Sequence, residues 1–271
     1  MRTNILKWGI QIHLLAASFS ALFAASGADP RPYNTGISTI LALSRDLYQS
    51  LSPSEKAFVP PELISVETSA RPSIRPIWQI GRSGRSQTVL ATPPILISTG
   101  FVDFVNQLAH AEAIDQKRRG YLRRYLESVQ RDENHLPSLP DANSPAFWTE
   151  DMLNEQQSNF NSIVATIICI NLAHLYLGHY QKYAPMLENS SGAPMAINSF
   201  LTREEWDESY RWAVRHAMSA GCMIEGVLPF FETLNKIKHR STWTGFFLPE
   251  RLDFATMRKD MVKLQERFLK E

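Results

Sequence analysis

The sequence predicts a mainly helical domain with a small β element. Long segments with apolar residues at helical spacing alternate with loops rich in Pro, Gly and Ser, and residues 87–99 have the short apolar runs typical of strands. The chain has 271 residues, of which 44% are apolar and 20% charged. This length and composition allow one sizeable core and exclude collagen-like, disulfide-dense and wholly disordered proteins.

The charge balance is nearly neutral, with 28 basic and 27 acidic side chains. No nucleic acid and no strongly anionic partner is expected from such a balance. One segment, Gln116–Arg124, is locally basic. It is explained either by a solvated helix face balanced by Asp115 and Glu127 or by a contact with an anionic lipid or protein.

Residues 1–28 are predicted to be a secretory signal peptide. Arg2 and Lys7 supply the positive start, residues 8–25 are mostly apolar, and small residues follow. An uncleaved membrane anchor is the alternative, but the apolar stretch is short for a membrane span. We therefore expect a periplasmic or secreted protein whose mature chain, 29–271, forms a single domain without a membrane span.

Local patterns in the first part of the chain predict a helix, a capped turn and a β element. Apolar residues recur at helical spacing over 36–51, and Ser52 with Glu55 forms a capping box. Residues 56–87 are rich in Pro, Ser and Arg and are expected to be a loop. Two short strands joined by prolines are expected within 87–99.

Helices are predicted for most of the remaining chain. The longest has an apolar middle, residues 163–177, and is expected to be the buried centre of the fold. Thr202 and Glu205 form a second capping box. The predicted helices span 101–132, 147–183, 202–220, 223–238 and a last segment from Pro249 to Leu269.

Export would place the two cysteines in an oxidising compartment. Cys169 lies in an apolar run, and Cys222 follows a glycine. A disulfide between them and two separate buried thiols are both compatible with the sequence.

Two histidines on the longest predicted helix, His174 and His179, are candidate metal ligands. A histidine on a buried helix is more often a hydrogen-bonded core residue than a ligand. These two lie about 140° apart around a regular helix, so they could not both face one metal. A non-standard site would need a distorted turn between them, with Glu205 or Glu208 as a third ligand.

The segment around His174 resembles the active helix of zinc peptidases of the HtpX/CAAX-prenyl-protease type. Those enzymes carry H-E-x-x-H, in which two histidines bind zinc and the glutamate activates the metal-bound water, often followed by Gly-His. His174 aligns with the second histidine, and Gly178 and His179 with the Gly-His. The first histidine falls on Ile170 and the glutamate on Asn171, so one ligand and the general base are absent.

Three further segments carry the same resemblance, which covers residues 88–255. One is similar to the family's strand-to-helix turn, one to the helices after the third ligand, and one to a late loop. These segments are Pro94–Phe104, Arg211–Gly221 with Phe230–Leu234, and His239–Thr242 with Pro249–Leu252. The family's third ligand, a glutamate, falls on Trp206, and the aspartate that follows it falls on Tyr210.

The resemblance implies a zincin-like helical domain whose catalytic motif is degenerate. The expected protein is an exported, metallopeptidase-like pseudoenzyme that binds or scaffolds a peptide or protein partner, with no catalytic residue and no required cofactor. The alternative is an active zinc-dependent peptidase with a non-standard ligand set, in which His174 and His179 hold the metal.

Overall fold

Helices dominate the part of the chain that the structure describes. The computed structural model describes residues 33–57, 59–76, 80–83, 86–89, 95–130, 136–188, 196–237, 242–249 and 252–270. Residues 33–271 group into one compact unit. The predicted fold class, mainly helical with a small β element, is confirmed, whereas the predicted signal peptide lies outside the described residues.

Nine α-helices and five strands lie within these described ranges. The helices are α1 (Ile37–Ser50), α2 (Pro53–Lys56), α3 (Thr99–Lys117), α4 (Tyr121–Val129), α5 (Glu150–Tyr176), α6 (His179–Glu188), α7 (Arg203–Ser219), α8 (Leu228–Lys236) and α9 (Phe254–Phe268). The strands are β1 (Ile64–Glu67), β2 (Ile74–Pro76), β3 (Ile80–Ser83), β4 (Ser86–Val89) and β5 (Ile95–Ser98). The core of the unit lies where α3 and α7 pack on α5.

Both predicted capping boxes are confirmed. The Ser52 hydroxyl accepts a hydrogen bond from the Glu55 backbone N–H at 3.3 Å, and the Glu55 carboxylate accepts one from the Ser52 N–H at 2.8 Å. Thr202 and Glu205 make the same reciprocal pair at 3.3 and 2.8 Å. Each box satisfies N–H groups that the first turn of a helix leaves without an intrahelical partner.

The loop expected over 56–87 is wrong, because this region contributes strands to two sheets. In the first sheet the order is β1-β5-β2, with β1 parallel and β2 antiparallel to the central β5. In the second, β3 and β4 pair as an antiparallel ribbon. The two strands expected within 87–99 correspond to β4 and β5, but they belong to different sheets. These strands are only three or four residues long, so their pairing depends on distant partners rather than on their own composition.

The turn from β5 into α3 is held by Ser98 and by a close backbone approach at Gly100. The buried Ser98 hydroxyl caps α3 by accepting from the Phe101 N–H at 3.0 Å, and it donates to the Arg71 carbonyl at 2.8 Å. A Cβ at Gly100 would lie 2.1 Å from the Ala70 carbonyl oxygen. Only glycine fits at this position without moving the chain.

The helix predicted over 101–132 is two helices, α3 and α4. Gly120 lies between them with φ +85°, a left-handed conformation that other residues rarely adopt. The break lets the apolar face of α4, which includes Tyr121 and Tyr125, turn back onto the core.

The helix α5 is the buried centre of the fold, as its apolar middle predicts. Every residue from Ile163 to His174 is buried. Within the described residues α5 is the one helix whose length and hydropathy would allow it to cross a membrane, but 83% of its most apolar window is buried inside the protein. That burial is typical of a core helix.

The helix predicted over 147–183 is wrong in its extent, because α5 ends at Tyr176 and α6 begins at His179. Gly178 separates them with φ +75°. The last helix also differs from its prediction. It begins at Phe254 rather than near Pro249, because the Asp253 side chain accepts from the Thr256 N–H and caps it.

The two cysteines are buried free thiols in this structure. Burial, followed by the nearby Cys222, raises the pKa of the Cys169 thiol well above its usual value. Both side chains therefore act as small apolar groups of the core.

Candidate functional site

The end of α5 and the start of α6 bring His174 and His179 together. Their Nδ1 atoms lie 3.2 Å apart and their ring centroids 5.4 Å apart. Their angular separation of about 140° around a regular helix predicted that the two rings would point in different directions. That expectation does not hold, because the left-handed turn at Gly178 ends the helix between them. The distorted turn on which a non-standard site depends is therefore present.

The far side of the His174 ring is fixed by Asn198. The His174 Nε2–H donates to the Asn198 side-chain carbonyl at 3.0 Å. A neutral imidazole that carries its proton on Nε2 keeps a lone pair on Nδ1. The Nδ1 atom of His174 is therefore an acceptor, and it faces His179.

Ser209 on α7 completes a cluster of three polar atoms, the two Nδ1 atoms and the Ser209 Oγ. This oxygen lies 3.1 Å from Nδ1 of His174 and 3.4 Å from Nδ1 of His179. The Ser209 hydroxyl proton is donated elsewhere, to the Glu205 carbonyl at 2.7 Å. The hydrogen bond between the two rings is then donated by the Nδ1–H of His179 to Nδ1 of His174.

Both histidine rings are neutral near neutral pH. Burial, helped by the neighbouring His179, lowers the pKa of His174 to about 3. Burial also lowers the pKa of His179, although Glu205 and Glu208 act in the opposite direction. At 1% and 4% exposure the two rings have little access to water, which would otherwise stabilise a charge.

The positions that the resemblance assigns to the first zinc ligand and to the general base cannot perform those functions. Ile170 is a buried aliphatic side chain. The Asn171 amide donates to the Ile167 carbonyl at 2.9 Å and accepts from the Tyr180 hydroxyl at 3.1 Å. Asn171 is thus held as a structural residue, and an amide cannot accept a proton from water as a carboxylate does.

The third-ligand position also differs from the register that the resemblance gives. Trp206 is buried with its indole N–H unpaired, and no hydrogen bond joins it to His174. The α7 side chain that reaches His174 is Ser209, one turn later. Tyr210, at the aspartate position, instead donates to Asp260 at 3.0 Å.

The two carboxylates predicted as alternative ligands, Glu205 and Glu208, do not complete a metal site with the histidines. Glu205 accepts from the Lys182 ammonium at 2.6 Å, from the Tyr183 hydroxyl at 2.7 Å and from the Thr202 N–H at 2.8 Å. Burial alone would raise the pKa of Glu205, but these donors outweigh it and lower the value to about 2. Among the described residues no group of three His, Cys, Asp or Glu side chains could hold a metal ion. A zinc centre of the family's own composition therefore does not fit the residues that the structure describes.

A third histidine forms a separate structural contact. His216 on α7 donates from Nε2 to the Glu55 carboxylate at 3.0 Å, and the Trp212 indole N–H donates to the same oxygen at 3.0 Å. This contact ties α2 to α7 and belongs to the outer part of the fold.

The basic side chains of Gln116–Arg124 are exposed at the corner between α3 and α4, whereas Tyr121 and Leu122 are buried. Arg123 pairs with Glu127 at 2.7 Å, as expected for a solvated face. The Asp115 carboxylate accepts from the Leu122 N–H at 3.0 Å at the same corner.

Comparisons with known proteins identified no relative. No protein-family model matches the chain, and searches of curated proteins and of solved structures gave no match either. The resemblance to zinc peptidases therefore depends only on the segments described in the sequence.

Sequence reasoning missed Ser209, a member of the cluster, and Asn198, which fixes the far side of the His174 ring. Neither residue type signals a site by itself. Ser209 lies between Trp206 and Tyr210, but the residue type expected for a ligand there is a carboxylate. Asn198 is 24 positions from His174, beyond the reach of any local pattern.

Proposed function

We propose that this chain is an exported, metallopeptidase-like protein that works by binding or scaffolding a peptide or protein partner rather than by peptide hydrolysis. One observation carries the proposal. Asn171, at the general-base position, is buried. Its amide donates to the Ile167 carbonyl and accepts from the Tyr180 hydroxyl.

The state of Glu205 supports the same proposal. Zinc peptidases need a carboxylate that can take a proton from the metal-bound water. Glu205 acts electrostatically on both histidines, and three donors hold it in its ionised form. A group with a pKa of about 2 is a poor proton acceptor at neutral pH.

One experiment tests both peptide hydrolysis and peptide binding. The purified chain is incubated with a library of unstructured peptides and added Zn²⁺, and free and protein-bound peptides are analysed by mass spectrometry. We expect intact peptides in both fractions, with a subset enriched on the protein. Zinc-dependent cleavage that is lost in His174→Ala would establish the alternative, an active peptidase. A library that is neither bound nor cleaved would contradict peptide binding.

Export is tested separately on protein made in its native host. The intact mass should correspond to a chain that begins at Gly27 or Asp29. A full-length chain retained in the cytoplasm would contradict this part of the proposal.

A further inference from the structure

Residues 33–36, just before α1, form a short strap whose side chains enter a groove between α3 and α5. Tyr33 is partly buried and Thr35 is 5% exposed, whereas Asn34 between them is exposed. The side chains that the strap contacts, which we call the strap groove, are Asn106 and His110 on α3, Gln156 on α5, and Phe147 and Trp148 before α5. We propose that the strap groove is a peptide-docking site that the strap fills in cis. A partner peptide with a Tyr followed two positions later by Thr or Ser displaces the strap.

The Tyr33 position selects an aromatic side chain that carries a hydroxyl. The Tyr33 ring packs edge-on against His110 and is tilted against Trp148, with centroids 5.6 Å apart in both pairs. The His110 Nε2–H donates to the Phe147 carbonyl at 2.6 Å, so the neutral ring keeps a lone pair on Nδ1. The Tyr33 hydroxyl donates to this Nδ1 at 3.2 Å. A phenylalanine would leave the buried nitrogen without a partner, which is costly.

The Thr35 position selects a hydroxyl that donates and accepts at the same time. The Thr35 hydroxyl donates to the side-chain carbonyl of Asn106 and accepts from the Gln156 amide at 3.0 Å. The Asn106 amide also donates to the Thr35 backbone carbonyl at 3.1 Å. Serine and threonine satisfy this arrangement, whereas valine does not. The exposed Asn34 sets no requirement, so the pattern that fits is Tyr-x-Thr or Tyr-x-Ser.

The groove side chains are also held by bonds in which the strap takes no part. The Gln156 amide donates to the Asn106 side-chain carbonyl at 3.0 Å, and the Asn106 amide donates to the Val102 carbonyl at 3.2 Å. The Trp148 indole N–H donates to the Ala142 carbonyl at 2.7 Å. These bonds remain when the strap leaves. The groove is therefore pre-organised, which lowers the cost of binding another occupant.

The tether gives the strap an advantage over a partner peptide. A segment joined to its own binding site has a high effective concentration there. The apparent affinity for a free peptide is reduced in proportion to the fraction of molecules in which the groove is open. The strap is thus autoinhibitory, and loosening it should raise the affinity for a peptide of the same pattern.

The strap groove is distinct from the histidine cluster. Gln156 and His174 are 18 positions apart on α5, about 27 Å along a straight helix. The docking site rests on the proposed function, because it names where a peptide partner binds. It makes no use of the positions that carry the zinc-peptidase resemblance to the active helix.

The test uses the full purified chain and a fluorescent peptide with the sequence of residues 29–38. The open-strap variant combines Tyr33→Ala with Thr35→Val and should bind this peptide at least about tenfold more tightly than the wild type in anisotropy titrations. The same peptide carrying Thr35→Val should lose that binding. The matched control is Thr166→Val, which makes the same substitution at a buried position of α5 outside the groove. This control should bind the peptide as weakly as the wild type.

Two results would overturn the docking site. One is an open-strap variant that binds the peptide no more tightly than the wild type does. The other is equal binding of the peptide that carries Thr35→Val. Circular dichroism shows whether the open-strap variant is folded. If it is not, NMR of the wild type decides, because excess unlabelled peptide should shift the Thr35 amide signal to that of an undocked chain, and an unchanged signal overturns the site.

The docking site and the proposed function can fail separately. If library peptides bind intact but the open-strap variant does not gain affinity for the strap peptide, only the docking site is wrong. If the strap peptide binds as expected while library peptides are cleaved in a zinc-dependent way, only the proposed function is wrong.

Discussion

His174 and Ser209 are 35 positions apart in the chain, yet Nδ1 of one lies 3.1 Å from Oγ of the other. The contact forms because α7 packs along the C-terminal half of α5. His179 joins the same contact from the start of α6, across the turn at Gly178. The two candidate metal ligands assigned from the sequence, His174 and His179, are thus together, but with partners that the sequence did not indicate.

The turn at Gly178 can be tested with a matched pair of glycines. Gly178→Ala should lower the free energy of unfolding by about 1–2 kcal/mol, because a Cβ strains a residue at φ +75°. It should also change the histidine ring signals in NMR spectra. Gly221→Ala, at φ +85° after α7, should cost a similar amount and leave those signals unchanged. Equal spectra for both variants would contradict the importance of the turn.

The free energy of unfolding should fall in acid because of His174. Its pKa is about 3 when folded against an ordinary value of 6.5, so between these values the unfolded chain binds the proton and the folded chain does not. The full contribution is present above pH 6.5 and is lost as the pH falls toward 3. The loss is on the order of 5 kcal/mol for this group. Urea unfolding across this range should be less steeply pH-dependent in His174→Gln, and identical slopes would count against the assignment.

A buried carboxyl on α3 predicts the opposite dependence on pH. Burial raises the pKa of Glu112 well above 4.5, although the Phe230 backbone N–H acts in the opposite direction. The folded state therefore holds its proton where the unfolded state releases it, and stability falls as the pH rises above 4.5. Glu112→Gln should remove that decline and be the more stable protein at pH 8. A wild type that gains stability over this range relative to the variant would disprove the buried acid.

The burial of α5 is tested by introducing a charge. Ile167 is 1% exposed in the middle of this helix. Ile167→Asp should cost roughly 3–5 kcal/mol, as for an uncompensated buried charge. Ser158→Asp places the same carboxylate on the exposed face of α5 and should be nearly neutral. Similar melting temperatures for the two variants would mean that α5 is not the core helix.

The zinc-peptidase resemblance makes a prediction of its own. Ile170→His with Asn171→Glu rebuilds H-E-x-x-H, since positions 170 and 174 lie on one helix face with Cβ atoms about 6 Å apart. For the third ligand the resemblance indicates position 206, which a third substitution, Trp206→Glu, tests. The structure indicates position 209, because Ser209 is the α7 side chain that reaches His174, so Ser209→Glu is the alternative third substitution. We expect the variant with Ser209→Glu to bind Zn²⁺ more tightly in calorimetry. If neither triple variant gains affinity while both remain folded, the resemblance does not extend to the site.

The sequence alone determined the features that depend on neighbouring residues. Ser52 with Glu55 and Thr202 with Glu205 form their capping boxes because each pair lies within one helical turn. The apolar middle of α5 made its burial predictable, because a helix that is apolar on all sides needs protein on all sides.

Only the tertiary structure decided the features that depend on distant residues. The short strands β1 and β2 exist because β5, some 20 to 30 positions later, pairs with both of them. The helix break at Gly178 was not predicted, because an isolated glycine is tolerated in a helix and its own preference is weak. Asn198 and Ser209 reach His174 from other elements, so their part in the cluster follows from packing, which determines neighbours that no local pattern encodes.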